Sequence, residues 1–563
     1  MQSLHEEGYI RFDPAVGHWH YHLEQIQQLE LADDVVEFMV KRLQKFPPAT
    51  QDTLKLAACI GNRFDLETLA IICESRQGQV ASNLWKSLRA GLIIPETEIY
   101  NFFQKAAQGV ASLKDITVDY HFLHDRVQQA AYALIPQTEK QAIHLKIGQL
   151  LLQKMSSHEQ AENIFTIVGQ LNMGRDLLTT PADRNQLAQL NLQAGRKAKL
   201  STAYAAAINY LTISRQLLTS DSWQQDYQTT LEIFVEALEL EYLNTNFDAV
   251  EPLANSILLK TQNLLDGIKV YEIKIRTWIG QGNQHKALEI GLDVLNLLDI
   301  PLREHQPDAV SNVAELIHAP ALTDPYQLSA MTIMAHIITP AWAVSPDNFR
   351  RITFTMVDLS LRSGNCAASA FGYVWYGTLL CESLGNIREG YEFGQLSVDL
   401  LNHFDAHELR SKVLVLYASC VVLWKEHVQA SFVVHLKGLQ AGLETGDLEF
   451  ASYGAAEYCQ YLFLTGAPLN QVREQVEQKI SLIQKLKQSF HSDYLAPWLQ
   501  GILNLLGDSL LEDDESPNVL NGPIYNEMER LPVLVKQKQL TTVYVAYFVK
   551  SFLSYLFEDF AQA

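Results

Sequence analysis

The chain has 563 residues, of which 48% are hydrophobic and 19% are charged, a composition that suits well-packed globular domains. A disordered or coiled-coil chain would contain far more charge. The net charge of −21 at pH 7 argues against a broad electrostatic surface for nucleic acid or an anionic membrane. Glycine and proline are sparse, at 28 and 18 residues, which favours helices over a turn-rich β fold.

The six cysteines form no disulfide framework and no metal set. There is no C-x-x-C, and no cysteine stands beside a histidine at metal-site spacing. We therefore expect six buried thiols in a reducing compartment. The N-terminus lacks the features of a signal peptide, and no stretch has the composition of a bilayer span, which predicts a cytoplasmic protein with no membrane partner. The cysteines are Cys59, Cys73, Cys366, Cys381, Cys420 and Cys459.

Residues 1–32 predict a β-hairpin with a turn at 13–17. His18, His20 and His22 alternate along its second segment, so on a strand they would face one side, about 7 Å apart. Three imidazoles can hold zinc. No carboxylate or cysteine completes the set, so we expect an exposed His-rich strand and no metal. Weaker histidine pairs are His121 with His124 and His403 with His407.

Residues 33–123 predict a winged helix. Four segments have helical period, and Asp65 stands where its side chain would cap the third. A β-branched segment at 92–95 follows them, and the alternating segment 117–123 would return after a long tip at 97–115. Short helices followed by a β-hairpin are the element order of a winged helix. The helical segments are 33–46, 50–60, 65–73 and 79–90.

The charges of this region favour a protein contact over DNA. Residues 33–100 contain eight Lys and Arg against nine Asp and Glu. The helix in the position of a recognition helix carries only Lys86 and Arg89, whereas a DNA-reading domain normally presents a clear basic face. We therefore expect no nucleic-acid partner.

The remainder of the chain predicts connecting helices over 124–158 and a helical-repeat array over 159–563. Glycines and tyrosines recur at a spacing of 82 residues, and helical hairpins restart about every 40. At that period a tetratricopeptide-like array would contain roughly ten hairpins, with Gly372, Tyr376, Gly454 and Tyr458 packed in its core. The fold class is thus predominantly α, a small winged helix followed by a tetratricopeptide-like α-solenoid. The recurring pairs are Gly364 with Gly446, Gly372 with Gly454 and Tyr376 with Tyr458.

No segment carries a known catalytic or cofactor motif. The phosphate loop G-x-x-x-x-G-K-[ST] is missing, and so are the kinase H-R-D and D-F-G sets. G-x-S-x-G and H-E-x-x-H are missing as well. The sequence therefore predicts a protein that is not an enzyme, with no catalytic residues and no cofactor.

Three segments resemble a known family. Residues 43–65 (LQKFPPATQDTLKLAACIGNRFD) and 88–93 (LRAGLI) resemble the winged helix of signal-transduction NTPases with numerous domains. Residues 122–136 (FLHDRVQQAAYALIP) resemble the segment that follows the winged helix in large bacterial multi-domain sensor kinases. The opening residues are similar to the last hairpin of the NTPase lid, so 1–32 would be a remnant of that lid.

The resemblance implies a domain order: a Ser/Thr-kinase-like domain, an AAA-like NTPase, the winged helix, a tetratricopeptide-like array, a GAF sensor and often a histidine kinase. Kinase, phosphate-loop, GAF and histidine-kinase segments are not found here, so the resemblance assigns no ATP-binding or phosphotransfer residue. It implies either a fragment of such a protein or a helper of a partner NTPase. His124, Asp125 and Arg126 would lie where a relay helix leaves the wing; alternatively, they cap that helix.

The favoured function is a non-catalytic signal-transduction module that relays nucleotide state and binds protein partners, or adjoining NTPase and kinase domains, through its helical-repeat surface. One alternative is a DNA-binding transcriptional regulator of the NTPase–winged-helix–repeat kind. Another is a part of an active serine/threonine or histidine kinase whose catalytic domains lie outside this chain. The last is an enzyme with an unrecognised pocket.

Overall fold

The computed structural model describes residues 10–13, 17–21, 35–96, 118–508, 517–537 and 539–563. The chain is predominantly helical and divides into two units, Met1–Asn246 and Phe247–Ala563. His22 and the predicted tip at 97–115 lie outside the described residues. No helix within the described ranges is both long and apolar enough to cross a membrane.

The first unit contains a hairpin, a small sheet with its helices, and further helices. Its strands are β1 (Ile10–Asp13), β2 (His18–Tyr21), β3 (Arg63–Asp65), β4 (Ile93–Pro95) and β5 (Asp119–Phe122). The helices around the sheet are α1 (Val35–Leu43), α2 (Pro48–Ile60), α3 (Leu66–Ile72), α4 (Gln77–Arg89) and α5 (Asp125–Ala133). The following helices are α6 (Gln137–Lys154), α7 (Ser157–Glu162), α8 (Ile164–Met173), α9 (Pro181–Leu200), α10 (Tyr204–Leu217), α11 (Ser222–Gln225) and α12 (Tyr227–Leu243).

Three antiparallel strands in the order β3-β5-β4 form the small sheet. The rings of Tyr120 and Phe122 contact that of Phe64 at centroid distances of 5.7 and 5.5 Å, and all three side chains are buried. Buried aromatic side chains supply much of the hydrophobic stabilisation of a core this small. The carboxylate of Asp65 accepts a hydrogen bond of 2.7 Å from the backbone N–H of Thr68, so the predicted cap of α3 is confirmed.

The second unit is an array of helical hairpins, which confirms the predicted helical repeats. Its helices are α13 (Phe247–Leu258), α14 (Leu264–Gly280), α15 (Gln284–Leu297), α16 (Pro325–Val344), α17 (Pro346–Ser363), α18 (Ala367–Glu382), α19 (Ile387–His403), α20 (His407–Leu416), α21 (Ala430–Thr445), α22 (Leu448–Leu464), α23 (Leu469–Lys485), α24 (Ser489–Leu506), α25 (Glu527–Lys536) and α26 (Leu540–Leu556). Beyond α20 the chain continues through a π-helical turn (Tyr417–Val421) and a 3-10 turn (Val422–Trp424).

The helices of this array from α14 onwards are arranged in two layers. Helices α14, α16, α18, α20, α22, α24 and α26 each pack against the next member of this series and form layer A. Helices α15, α17, α19, α21 and α23 pack between the members of layer A that precede and follow them in the chain, and form layer B. Because each helix packs chiefly on near neighbours in sequence, the core extends along the array.

The recurring glycines and tyrosines pack as predicted at three of four positions. Gly372, Tyr376 and Gly454 are buried. Tyr458 is only half-buried and meets the ring of Phe432 edge-on, with centroids 5.6 Å apart. It therefore lies at the margin of the core, where the sequence predicted the interior.

Residues 298–324, between α15 and α16, form a long connection without an α-helix that the sequence did not predict; we call it the strap, and it contains a 3-10 helix (Val313–His318). Its prolines remove helical hydrogen bonds. Arg303 forms an ion pair with Asp358 of α17, and Nε2 of Gln306 donates to the Tyr376 hydroxyl at 2.9 Å. The backbone of Asn365, in the α17–α18 turn, exchanges hydrogen bonds with Pro320 and Leu322 at 2.8 Å. The strap therefore ties successive hairpins together. Its prolines are Pro301, Pro307 and Pro320.

The expectation of six buried thiols was wrong for two of them. Cys73 and Cys420 are half-buried, and the other four are buried. Burial raises the pKa of Cys59 to about 12 and that of Cys73 to about 11. Thiols with such raised pKa values are poor nucleophiles at neutral pH.

Candidate functional site

The histidines of the predicted zinc set lie on a short exposed hairpin. His18 and His20 are exposed on β2, where they pair with Asp13 and Arg11 of β1. His22 lies outside the described residues. Across the ranges that the structure describes, no three His, Cys, Asp or Glu side chains are grouped closely enough to hold a metal ion.

The predicted relay residues stand at the start of α5. His124, Asp125 and Arg126 are all exposed. Nδ1 of His124 accepts the backbone N–H of Arg126 at 3.2 Å, and the Arg126 guanidinium donates to Gln129 at 3.2 Å. The contacts of His124 are those of a helix cap, the alternative that the sequence left open.

A buried chain of hydrogen bonds, which the sequence did not predict, connects four helices of the first unit. The Tyr132 hydroxyl of α5 lies 2.9 Å from Nε2 of His144 in α6, and Nδ1 of His144 lies 2.6 Å from Oε1 of Gln170 in α8. The Gln170 amide nitrogen donates to the Cys59 carbonyl of α2 at 2.7 Å. The Gln170 oxygen therefore accepts from Nδ1, and Nε2 accepts from Tyr132. Since each donor has one acceptor, this network fixes the four helices relative to one another.

A cleft of about 360 Å³ opens beside the small sheet. Its lining includes the carboxylates of Asp65, Glu96 and Asp119 and the guanidinium of Arg63. Two of these carboxylates already have partners in the chain, because Asp65 caps α3 and Glu96 lies 3.3 Å from Arg63. Little charge is therefore left in the cleft to bind a ligand.

A second group of polar side chains crosses layer A of the array. It contains carboxylates, a hydroxyl, a thiol and phenol rings from four helices of layer A and from the π-helical turn that follows α20. We call this group the tyrosine–carboxylate strip. Its members are Glu382 (α18), Ser419 and Cys420 (the π-helical turn), Glu457 and Tyr461 (α22), Tyr494 (α24) and Tyr544 (α26).

Ser419, His435 and Glu457 hold one another at the centre of the strip. Nε2 of His435 lies 3.0 Å from the Ser419 hydroxyl and 3.3 Å from the Glu457 carboxylate, and Ser419 also bonds to that carboxylate. Nδ1 of His435 lies 2.9 Å from the carbonyl of Ser431. His435 is fully buried, whereas 22% of the Glu457 side chain is exposed. The network thus fixes a carboxylate that still reaches the surface.

The Ser419 hydroxyl is shared among several acceptors. Besides Glu457 and His435, it contacts the Val415 carbonyl at 2.8 Å, and it has a single hydrogen to donate. Nδ1 of His435 faces the Ser431 carbonyl and therefore carries a hydrogen, so the neutral imidazole accepts at Nε2. The π-helical turn places Ser419 against α21 and α22, and such turns are frequent at functional sites.

Tyr461 follows Glu457 by one helical turn, and its ring lies 5.6 Å from that of His435. Burial, followed by the nearby charge of Glu457, raises the pKa of Tyr461 and of Tyr494. The Tyr494 hydroxyl donates to Gln460 at 2.6 Å. Tyr544 continues the strip with 67% of its surface exposed. The phenol rings thus form an aromatic wall beside a negative charge.

The negative charge of the strip is not balanced by lysine or arginine. Among the described residues, His435 is the one basic group within 4 Å of the Glu457 carboxylate, and Glu382 has none. Desolvation raises the pKa of Glu382. Desolvation, then these two negative charges, raises the pKa of Cys420 well above its ordinary value. The strip is therefore an acidic surface with aromatic walls.

One feature of the sequence signals this site. His435 follows Ser431 by one helical turn on a face that otherwise carries small or apolar residues. Polar residues on a buried helix face require hydrogen-bond partners. The partners themselves, Ser419 and Glu457, lie 16 and 22 residues away and have no motif spacing.

A curated relative of the chain is a signalling protein. No protein-family model matches the chain. The hybrid signal transduction histidine kinase G of Dictyostelium discoideum is 23% identical over 594 residues. That match covers 92% of this chain and 17% of the kinase, so the chain spans about one sixth of the length of this relative.

A search of solved structures finds a Signal Transduction ATPase with Numerous Domains (STAND) protein with a tetratricopeptide repeat sensor, from Pyrococcus horikoshii. The TM-score is 0.44 at 11% sequence identity. The superposition covers 91% of this chain and 67% of that chain.

Proposed function

We propose that this chain is a non-catalytic module of a signal-transduction protein and binds protein partners through the exposed side of layer A. The observation that carries the proposal is the two-layer array from α14 to α26. Stacked helical hairpins present extended surfaces to which successive repeats contribute, and such surfaces are used to bind other molecules. The 23% identity to a signal transduction histidine kinase, over 92% of the chain, supports a signalling role.

A winged helix at 33–123, between a lid hairpin at 1–32 and the connecting helices at 124–158, is part of this proposal. Its support is the order α2-β3-α3-α4-β4-β5 with the strand order β3-β5-β4. Lys86 and Arg89 are exposed on α4, but two cations are few for a helix that reads DNA. The proposal therefore assigns this region a protein contact. A DNA duplex that binds the full chain and dissociates as salt is raised would favour a transcriptional regulator instead.

The proposed relay runs through the interior of the first unit. Tyr132, His144 and Gln170 connect α5, α6 and α8 to the Cys59 carbonyl of α2, whereas the residues at 124–126 are exposed. A displacement of α2 would either break the buried hydrogen bond between Gln170 and the Cys59 carbonyl or move α8 as well. Breaking this bond is costly, because it leaves buried polar groups unpaired. A Gln170→Leu variant should therefore raise hydrogen exchange in α2, α5 and α8 together. Rises confined to α8 would contradict the relay.

The same observations fit a chain that forms part of a longer signalling kinase. The relative is a histidine kinase, and this chain matches 17% of its length. In that setting the catalytic residues would stand on other segments, and this chain would contribute binding and relay. Assays of the purified chain should then detect no ATP hydrolysis above that of a mock purification, and robust turnover would favour an enzyme with an unrecognised pocket.

A photo-crosslinking experiment tests the binding surface. Benzoylphenylalanine replaces Tyr544 in layer A in one variant and Val433 in layer B in the other; both positions are exposed, at 67% and 59%. We expect a reproducible protein adduct from position 544 in irradiated cells and a much weaker one from position 433. Equal adducts from both layers, or none from layer A, would contradict the proposed use of this face.

A further inference from the structure

Within the described part of the chain, the carboxylates of the tyrosine–carboxylate strip have one basic neighbour, the imidazole of His435. Glu457 is fixed by Ser419 and His435, and no lysine or arginine of the described ranges lies within 4 Å of Glu457 or Glu382. A partly desolvated carboxylate is more stable when a cation pairs with it. Glu457 is already held in one orientation. A cation that pairs with it would therefore bind with little free-energy cost for ordering this side chain.

The tyrosines around Glu457 narrow the kind of cation. Tyr461 follows Glu457 by one helical turn, and the Tyr494 hydroxyl donates to Gln460, three residues from Glu457, at 2.6 Å. A guanidinium is planar, pairs with a carboxylate through two parallel hydrogen bonds, and stacks on aromatic faces. A carboxylate beside phenol rings therefore suits an arginine side chain better than a small hydrated metal ion, which prefers several oxygen ligands.

Helix α26, at the far end of the strip, favours a partner with apolar side chains. On α26, Leu540, Tyr544, Tyr547 and Tyr555 are between 57% and 67% exposed, and they recur at spacings that place them on one side of the helix. The opposite side, with Val545, packs on α24. Exposed aromatic residues beside a fixed charge are typical of the central contacts of protein interfaces.

We propose that the strip binds a segment of a partner protein in which an arginine side chain pairs with Glu457 and flanking apolar side chains cover the exposed tyrosines of α26. Glu382 lies at the edge of the strip and adds to the negative field that attracts the segment. This inference rests on the proposed function, because it names the chemistry of the partner that layer A would bind.

The test uses the folded full chain and a peptide array. The probe is a set of 15-residue peptides of varied sequence with one central arginine and flanking apolar residues, each printed beside a twin that carries citrulline, the neutral isostere of arginine. The labelled chain should bind a subset of the arginine peptides about tenfold or more tightly than their citrulline twins, because a charge paired with a fixed carboxylate contributes this much or more. The preference should decrease as salt is raised.

Three variants identify the carboxylates responsible. Glu457→Gln should abolish the preference for arginine, and Glu382→Gln should weaken it several-fold without touching the Ser419 network. Glu444→Gln, at an exposed glutamate of α21 in layer B, is the matched control and should leave the preference unchanged. Circular dichroism melting curves establish that each variant is folded, and Glu382→Gln keeps the test decisive if Glu457→Gln is destabilised.

Two results would overturn the inference. One is binding of arginine peptides and citrulline twins with equal affinity, and the other is an arginine preference that survives both glutamine variants in layer A. Equal binding of both peptide sets would leave the proposed protein-binding function standing, whereas failure of the photo-crosslinking at position 544 would remove that function itself. The two failures are therefore distinguishable.

Discussion

The region around the small sheet and the array of helical hairpins close their cores in different ways. In the first, Phe64 packs on Tyr120 and Phe122, which lie more than fifty residues further along the chain. In the second, Phe393 of α19 packs on Tyr373 and Tyr376 of α18, the adjacent helix. A core assembled from distant segments is gained or lost as a whole, whereas a core built from neighbours can be weakened at one place.

Removing one buried aromatic ring from each region tests this difference between the two cores most directly. Phe64→Ala and Phe393→Ala should each lower the local free energy of unfolding by about 3–5 kcal/mol, because each leaves a cavity in a packed core. Hydrogen exchange followed by mass spectrometry should show protection lost throughout 35–96 and 118–134 for Phe64→Ala. For Phe393→Ala, the loss should centre on α18, α19 and α20. An equal loss from α14 to α26 in the second variant would contradict neighbour-only packing.

A glycine at the strap tests how tightly the array is tied. Gly364 has φ +106°, and a Cβ there would lie 2.1 Å from the Pro320 carbonyl oxygen. Gly364→Ala should lower the free energy of unfolding by about 3 kcal/mol, since it adds a backbone clash to an unfavourable conformation. The matched control is Gly282→Ala, where φ is +76° and no atom lies within 4 Å. In urea unfolding, Gly282→Ala should lower the free energy of unfolding by only about 1 kcal/mol. Equal losses for the two variants would mean that the strap moves away from the added Cβ.

A buried histidine makes the array sensitive to acid. His491 is 3% exposed and meets the ring of Tyr453 at 4.3 Å, and burial lowers its pKa to about 4. Between pH 6.5 and 4 the unfolded chain binds a proton at this position that the folded chain does not, so the free energy of unfolding falls as the pH falls. From pH 7.5 to 5 the loss that His491 contributes should be about 2 kcal/mol. His336 of α16, whose pKa burial lowers to about 3, adds to this loss.

Urea unfolding at the two pH values measures this effect. His491→Phe should remove about 2 kcal/mol of the pH dependence. His285→Gln, at an exposed histidine of α15, should leave the pH dependence unchanged. If both variants retained the full acid sensitivity, another group of the array would be responsible.

The smallest effect belongs to a helix cap in the sheet region. Asp65→Ala removes the hydrogen bond to the Thr68 N–H and should lower the free energy of unfolding by about 1 kcal/mol. Asp52→Ala removes an exposed ion pair with Lys55 and should cost less than about 0.5 kcal/mol. Thermal unfolding of both variants measures which one loses more stability. A larger loss for Asp52→Ala than for Asp65→Ala would contradict the prediction.

Local sequence signals predicted many elements well because their causes are local. Asp65 caps α3, as its position at the start of that segment predicted. The strap was missed because the surrounding helical period was extended across its prolines. Tyr458 was misplaced because a repeat spacing locates a residue along a helix but does not determine how deeply the next hairpin covers it.

The sequence by itself determined the helical-hairpin array and, around the small sheet, the four helical segments and the last two strands, but not β3 (Arg63–Asp65). These features follow from hydrophobic period, caps and glycine turns, which act over a few residues. Only the tertiary structure decided that Ser419, His435 and Glu457 meet, and that His144 connects Tyr132 to Gln170. These contacts depend on how whole helices pack, and packing is set by the sum of many weak contacts that no single motif records.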